Sequence, residues 1–263
     1  MFEGTSKDYA KHRPPYPPQM FKDLVEQFKL DGTGRLLDVG CGPGVLCLPL
    51  SKFFESVVAV DIDSGMVAEG KITAEEEGIK NIQWLIKSAD NLDESIGKFK
   101  LIAFGASFHW INREKFAKLA YNILEDGGGM FICWNGNSLW NKDRSVWEDK
   151  VLEVIKKYLG NERRAGNGLF QTSKEKHEDI LKGAGFKLML KNYPAIGRIL
   201  TADDIIQEQY THSYSTRALL GNKAENFEKE LTQELLKINP DNKFEESYVT
   251  GSVYARKNYQ AVH

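Results

Sequence analysis

Leu36-Leu37-Asp38-Val39-Gly40-Cys41-Gly42-Pro43-Gly44 decides how this chain is read. The apolar run from Arg35 to Val39 predicts a short buried strand. Three glycines follow at alternate positions, and a helical pattern starts near Val45. Strand, glycine turn and helix form the layout of a nucleotide site at the carboxyl end of a parallel strand. Glycine is needed there because a side chain would hold the backbone away from a ligand, or because φ is positive. The helix N-terminus leaves backbone N–H groups facing that ligand.

Outward from this stretch, Val57-Val58-Ala59-Val60 predicts a second buried strand that ends on Asp61. A carboxylate at that tip can accept hydrogen bonds from both hydroxyls of a ribose. Asp61 follows Gly40 at close to the roughly 20-residue separation of a ribose-binding acid. A glycine turn with a helix-capping Asp is the plainer alternative, but it leaves the agreement of the two spacings unexplained. The glycines stand as Gly40-x-Gly42-x-Gly44, with Val45 where a dinucleotide fingerprint has its last glycine. Asp38 stands two residues before the first glycine, where a carboxylate repels a pyrophosphate and suits a cationic amino acid moiety.

Residues 37–44 with Val60-Asp61 therefore resemble the class I S-adenosylmethionine-dependent methyltransferases. The resemblance implies an α/β fold. Its core would be a Rossmann-like, seven-stranded, mostly parallel sheet with an antiparallel last strand, flanked by helices and carrying a helical cap. It implies S-adenosyl-L-methionine as cofactor, with Asp38, Gly40, Cys41, Gly42, Gly44 and Asp61 among its contacts. Ile62 would pack on the adenine with Met66 near it, although both also read as ordinary core. After the third strand, Asn81 to Ile86, the run Ser88-Ala89-Asp90 is in register to meet the adenine. After the fourth, Phe99 to Phe104, comes Gly105-Ala106-Ser107-Phe108-His109-Trp110. A Phe-His-Trp run is similar to one in a small-molecule subgroup that includes trans-aconitate methyltransferase relatives. This implies cofactor-lining roles for Ala106, Phe108 and Trp110. His109 is the candidate general base, with a structural histidine as the alternative.

Tyr9-Ala10-Lys11-His12-Arg13-Pro14-Pro15-Tyr16-Pro17 is too rich in proline for a helix interior. It resembles a segment that folds over the cofactor in this class, which implies contacts from Tyr9 and Arg13 and an acceptor contact from Tyr16. A packing-only arm is the other reading. The implied organisation is an arm and helix over residues 1–30, then the main domain over 31–263, with cap helices about 139–182 and 201–240.

Further along, Asn112 starts a helix that a glycine run, Gly127-Gly128-Gly129, closes before a fifth strand from Met130 to Trp134. Residues 143–159 predict an amphipathic helix, and 160–168 a loop. A further helix spans Glu175 to Lys182, then a strand starts at Phe186. Ser64 is the expected N-cap of the helix after Asp61, and Thr201 that of a later one. Tyr210, His212, Tyr214 and Arg217 fall in one expected helical region, with Tyr214 and Arg217 as candidate acceptor contacts. The chain closes on the alternating strand Tyr248 to Ala255.

The totals bound the function. The 263 residues carry a net charge of −2, so no global field draws the protein to nucleic acid or an anionic membrane. Cys41, Cys47 and Cys133 form no Cys-x-x-Cys pair, which predicts buried thiols in a reducing compartment and no metal. No run has signal-peptide or membrane-spanning character, so the expected location is cytoplasmic. The expected partner is a small-molecule methyl acceptor; monomer and homodimer both stay open. A non-catalytic S-adenosylmethionine-binding protein and a nicotinamide-dependent oxidoreductase are the competing functions. The glycine spacing and Asp38 argue against the second.

Overall fold

The structure, a computed structural model, describes Tyr9 and residues 12–136, 138–140, 143–166, 168–170 and 175–257. In chain order its elements begin with α1 (Pro18–Phe28), β1 (Arg35–Val39), α2 (Cys47–Leu50), β2 (Ser56–Asp61), α3 (Ser64–Glu76) and β3 (Ile82–Ile86). Then come β4 (Phe99–Gly105), α4 (Arg113–Ile123), β5 (Leu124–Asn135), α5 (Val146–Leu159), β6 (Arg164–Ala165) and β7 (Gly168–Leu169). The remainder is α6 (His177–Gly183), β8 (Phe186–Asn192), β9 (Ile196–Leu200), α7 (Ala202–Tyr210), α8 (Arg217–Leu220), α9 (Ala224–Ile238), β10 (Phe244–Tyr248) and β11 (Thr250–Lys257). The chain forms two compact units. One comprises residues 16–135, 173–194 and 250–263, the other residues 1–15, 136–172 and 195–249.

The first unit is built on a seven-stranded sheet in the order β3-β2-β1-β4-β5-β11-β8. β1 to β5 run parallel, and β11 pairs antiparallel with both β5 and β8. The expected Rossmann-like sheet with its antiparallel last strand is thus present. Alternate residues of the central strands enter two separate cores. Leu37, Val39, Val58, Val60, Ile102 and Phe104 pack with Phe116 of α4 and Leu181 of α6. Leu36, Val57, Ala59, Leu101 and Ala103 pack with Met20 and Leu24 of α1. Burial on both faces is why these strands read as continuous apolar runs rather than as alternation. Burying six such side chains removes enough apolar surface to contribute on the order of 10 kcal/mol before chain entropy is set against it.

The second unit has its own core. Trp147, Val151 and Ile155 of α5 pack with Ile205 of α7 and with Phe227, Leu231 and Leu235 of α9. β9 and β10 form an antiparallel pair, and β6 and β7 a second, shorter one. Among the described residues, no helix is long and apolar enough to cross a membrane.

Several local expectations are corrected. Asp63, not Ser64, caps α3; its side chain accepts from the N–H groups of Gly65 and Met66. The run Gly127-Gly128-Gly129 does not stop a helix. α4 already ends at Ile123, and the glycines lie inside β5. A Cβ on Gly129 would stand 2.3 Å from the Ala255 carbonyl oxygen, so glycine serves close strand approach here. Within and just past the stretch 160–168, expected as loop, Arg164–Ala165 and Gly168–Leu169 form the β6–β7 pair. Tyr248 ends β10 instead of opening the last strand. Tyr210 to Arg217 is not one helix. Thr211 Oγ1 bonds the Glu208 carbonyl, Ser215 Oγ bonds the Gln209 carbonyl, and Thr216 caps α8. Short hydroxyl side chains offer the backbone these alternatives to a continuous helix.

Candidate functional site

The carboxyl ends of β1 to β4 bring the expected cofactor residues together within the sheet unit. The turn after β1 is held by Gly40 and Cys41, whose N–H groups both donate to the Val60 carbonyl, at 2.7 and 3.1 Å. The three glycines have positive φ for different reasons. A Cβ on Gly40 would lie 2.5 Å from Ser107 Cβ, so glycine lets the turn meet the segment after β4. A Cβ on Gly44 would strike Leu48 and Trp84. At Gly42, φ is +53° and a Cβ would meet nothing within 4 Å. Gly42 therefore presents bare backbone to open space, as a ligand-facing glycine should.

Two carboxylates flank this turn. Asp61 Oδ2 accepts from Gly42 N–H at 2.8 Å, and Oδ1 from Asp63 N–H at 2.9 Å. Each carboxylate oxygen has two lone pairs, so Asp61 keeps acceptor capacity for ligand hydroxyls. Burial raises its pKa, partly offset by those two N–H groups. Asp38 is buried almost completely, at 1% exposure. Its Oδ2 accepts from Cys47 N–H at 3.1 Å, while Oδ1 is buried with no hydrogen-bond partner. Burial, with a smaller contribution from Asp61, pushes its pKa up to about 7. Cys41 and Cys47 are buried, and burial beside Asp38 lifts both thiols well above their ordinary range. They are core contacts and not nucleophiles.

The other strand tips complete the edge. Ile62 is 74% exposed, whereas Met66 is buried in the first turn of α3. Ser88 caps a short turn over Ala89–Asn91, and Asp90 Oδ1 accepts from Asn112 N–H at 3.1 Å. Ala106 has φ +54°, a left-handed conformation a non-glycine residue seldom adopts, and its N–H donates to the Cys133 carbonyl. Strained backbone of this kind clusters at functional sites. Phe108 turns into the core against Phe104 and His177, with ring centroids 4.9 and 5.2 Å away. His109 is exposed, its ring 4.6 Å from that of Trp110. Tyr16 reaches the end of β4, its hydroxyl 3.2 Å from the place a Gly105 Cβ would take. Ser107, which the sequence reading passed over, ties this segment to β1 by donating from Oγ to the Val39 carbonyl at 2.6 Å.

The remaining candidates belong to the helical unit. Arg13 donates to the Thr211 carbonyl at 2.9 Å, and its guanidinium lies 5.1 Å from the centre of the Tyr9 ring. Tyr214 is buried. Arg217 is exposed and pairs with Glu228 at 3.3 Å. The arm's Ala10 and Lys11, quoted above, lie outside the described residues.

The sheet edge fits S-adenosylmethionine on three observations: the open face at Gly42, the spare acceptor capacity of Asp61, and the orphaned Asp38 oxygen where a cation would be welcome. Among the described residues no group of side chains could hold a metal ion.

Comparison with known proteins shows what parts of the chain are similar to. Residues 36–128, about a third of the chain, match the family described as Methyltransferase domain, and this segment holds β2 to β4, β1 from Leu36 on, and the whole glycine turn. The chain is similar to an uncharacterized methyltransferase of Schizosaccharomyces pombe, at 29% identity over 60% of each chain. It spans about 60% of the length of the first curated relatives it matches. Among solved structures, a putative methyltransferase from Bacillus halodurans has a TM-score of 0.56 and 18% identity. That match covers 90% of this chain and all of the other. Phosphoethanolamine N-methyltransferase 2 of Haemonchus contortus, solved with S-adenosyl-L-methionine, has a TM-score of 0.55 and 16% identity, over 98% of this chain and 58% of its own. At these identities the structural likeness establishes the fold.

Proposed function

We propose that the protein is an S-adenosylmethionine-dependent methyltransferase acting on a small acceptor that bears a carboxylate. The observation that carries the reading is Gly42: bare backbone facing open space, its N–H already bonded to the strand-end Asp61, inside the segment that matches the methyltransferase domain. When bound, the cofactor supplies an electrophilic sulfonium methyl without help from a metal.

The chain's own residues do the rest. Asp61 accepts from the ribose hydroxyls, and Asp38 balances the ammonium of the methionine moiety. Ser88, Ala89 and Asp90 meet the adenine, with Ile62 on its face. Trp110 and Tyr16 offer aromatic faces to the cation. His109 takes the proton of an amine, hydroxyl or carbon acid acceptor; a carboxylate oxygen would need no base. Tyr214 and Arg217 are the candidate acceptor contacts. A small acceptor agrees with a net charge of −2, which gives no field for a polyanion.

Calorimetric titration with S-adenosylhomocysteine tests the site, and a metabolite screen with methyl-labelled cofactor tests turnover. The reading expects binding and label transfer to a small product. Binding without transfer to any metabolite would favour the non-catalytic alternative. Tighter binding of a nicotinamide dinucleotide would remove the reading altogether. Once a substrate is known, His109→Asn should flatten the acidic limb of the pH–rate profile if His109 is the base.

A further inference from the structure

The helical unit holds a cluster of charged and aromatic side chains whose hydrogen-bonding capacity is largely unused. Arg198 sits at its base. It pairs with Glu208 and Glu246 and donates to the His12 carbonyl at 3.2 Å. Two more guanidiniums, of Arg13 and Arg163, have no carboxylate within ion-pair distance among the described residues, and the Nε of each is buried without a hydrogen-bond partner. Arg163 lies 3.9 Å from the centre of the Phe170 ring and 5.7 Å from that of Tyr214. Tyr214 is 3% exposed, and its hydroxyl has no partner. One side of its ring is stacked with His212 at 4.8 Å, and Trp140 meets it edge-on at 6.1 Å. Trp140 Nε1 is also buried without a partner. Arg13 is tied to the same place through Thr211, next to His212.

Four donors without partners thus lie among these side chains: two guanidinium Nε–H groups, an indole N–H and a phenol O–H; one acceptor of the same unit, Gln209 Oε1, is unpartnered as well. Leaving one buried donor unsatisfied costs about 1–3 kcal/mol, so four together point to a ligand that accepts from all of them. Burial holds the Tyr214 phenol above its ordinary range, which keeps it a donor. Burial and the three guanidiniums hold His212 well below the usual imidazole range, so it adds no charge. Burial and Glu246 raise Glu208 to about 7, so above that pH three guanidiniums and the Lys156 ammonium, 5.5 Å from the Trp140 ring, face Glu208, Glu246 and Asp204 and leave one positive charge in excess. A carboxylate, planar and singly charged, matches both the donors and the charge; a phosphate dianion would overshoot. The aromatic walls suit an apolar body behind the carboxylate.

We infer that Arg13, Trp140, Arg163 and Tyr214 form a binding site for the carboxylate of a small, largely apolar organic monoanion. As the acceptor's site it rests on the methyltransferase reading; as a binding site it stands without it. The probe is benzoate at pH 8, titrated into the ¹⁵N-labelled full-length protein. The indole N–H resonance of Trp140, assigned by its loss in Trp140→Phe, reports binding, and inorganic phosphate serves as the comparison. The inference expects a saturable shift with benzoate and weaker binding of phosphate. Arg163→Met and Tyr214→Phe should each weaken benzoate roughly tenfold or more, the size of one hydrogen bond to a charged group. Affinity for S-adenosylhomocysteine should be unchanged in both. Tyr214→Phe removes an unsatisfied buried hydroxyl, so its unliganded Tm should equal or exceed that of the parent, which separates lost binding from lost folding. Absence of a saturable benzoate shift, unchanged affinity in the two variants, or phosphate binding as tightly as benzoate would each overturn the site. Failure of S-adenosylhomocysteine to bind would strike the methyltransferase reading and leave the carboxylate site standing.

Discussion

Asp38 shows how a single side chain links sequence, energetics and ligand. Its backbone belongs to β1, so the chain cannot keep the strand and expose the carboxylate. The result is a buried acid with one oxygen bonded to Cys47 N–H and a pKa of about 7. A carboxylate whose folded pKa lies above its unfolded value of 3.8 stabilises the fold while protonated. That contribution is full below about pH 4 and is lost as pH rises through 7. Above pH 7 the wild-type protein carries a buried charge, which at 1.36 kcal/mol per unit costs about 4 kcal/mol. Asp38→Asn should therefore be the more stable protein at pH 8, by an amount that shrinks towards zero near pH 4. Its affinity for S-adenosylhomocysteine should fall. Denaturant melts across this range check the first point and calorimetry the second; parallel stability curves for the two proteins would refute the assignment. Asp61 differs in kind, because its oxygens also hold Gly42 and Asp63 N–H. Asp61→Ala should weaken cofactor binding by about 1.5–3 kcal/mol through the lost charged hydrogen bonds. Gly42→Asn keeps a residue that tolerates positive φ while placing a side chain in the open space. Calorimetry should find it folded and without measurable binding.

At the scale of elements, capping decides where helices begin. Asp63 accepts from two N–H groups of α3, so Asp63→Ala should cost about 1 kcal/mol, whereas Ser64→Ala should be nearly neutral. Equal losses in thermal melts would reverse that assignment. The error at Ser64 is instructive: Asp-Ser offers two capping residues in succession, and the sequence gives no ground for choosing between them. The strands and the glycine turn were legible because burial on both sheet faces leaves long apolar runs, and because positive φ and close approach each demand glycine. The β5 glycines misled because the residue type that stops a helix also lets strands come close, and only the position of Ala255 tells the two apart. The break at residues 211–216 left a trace, the succession Thr211, Ser213, Ser215, Thr216, which tertiary context turned into turns and a cap. Of the candidate site, the strand-tip positions were readable from the spacing of glycines and Asp61 along the strands. The donors of Arg163 and Trp140 were not, since nothing in the sequence indicates which polar groups burial leaves without partners.

At the scale of the whole molecule, the chain crosses five times between two units, yet each unit closes its own core. The sheet unit buries Leu37, Phe104 and Phe116 on one face and Met20, Leu36 and Ala103 on the other. The helical unit buries Val151, Phe227 and Leu231 together. Separate cores favour separate cooperative units, each opening with its own free energy. A ligand that binds only the folded form raises the stability of the unit that holds it by RT ln(1 + [L]/Kd), about 2.7 kcal/mol at a hundredfold excess over Kd. All the strand-tip residues proposed to hold the cofactor lie in the sheet unit, and all four inferred carboxylate donors lie in the helical one. Calorimetric scans of the full chain should therefore resolve two transitions. S-adenosylhomocysteine should raise one of them and benzoate the other. The capping-box variant Thr201→Ala marks the helical unit, because its hydroxyl accepts from Asp204 N–H at the start of α7, and it should lower only the transition that benzoate raises. A single transition raised by both ligands and lowered by Thr201→Ala would mean that the two cores melt together. The division into units would then describe packing alone, with no separation in stability.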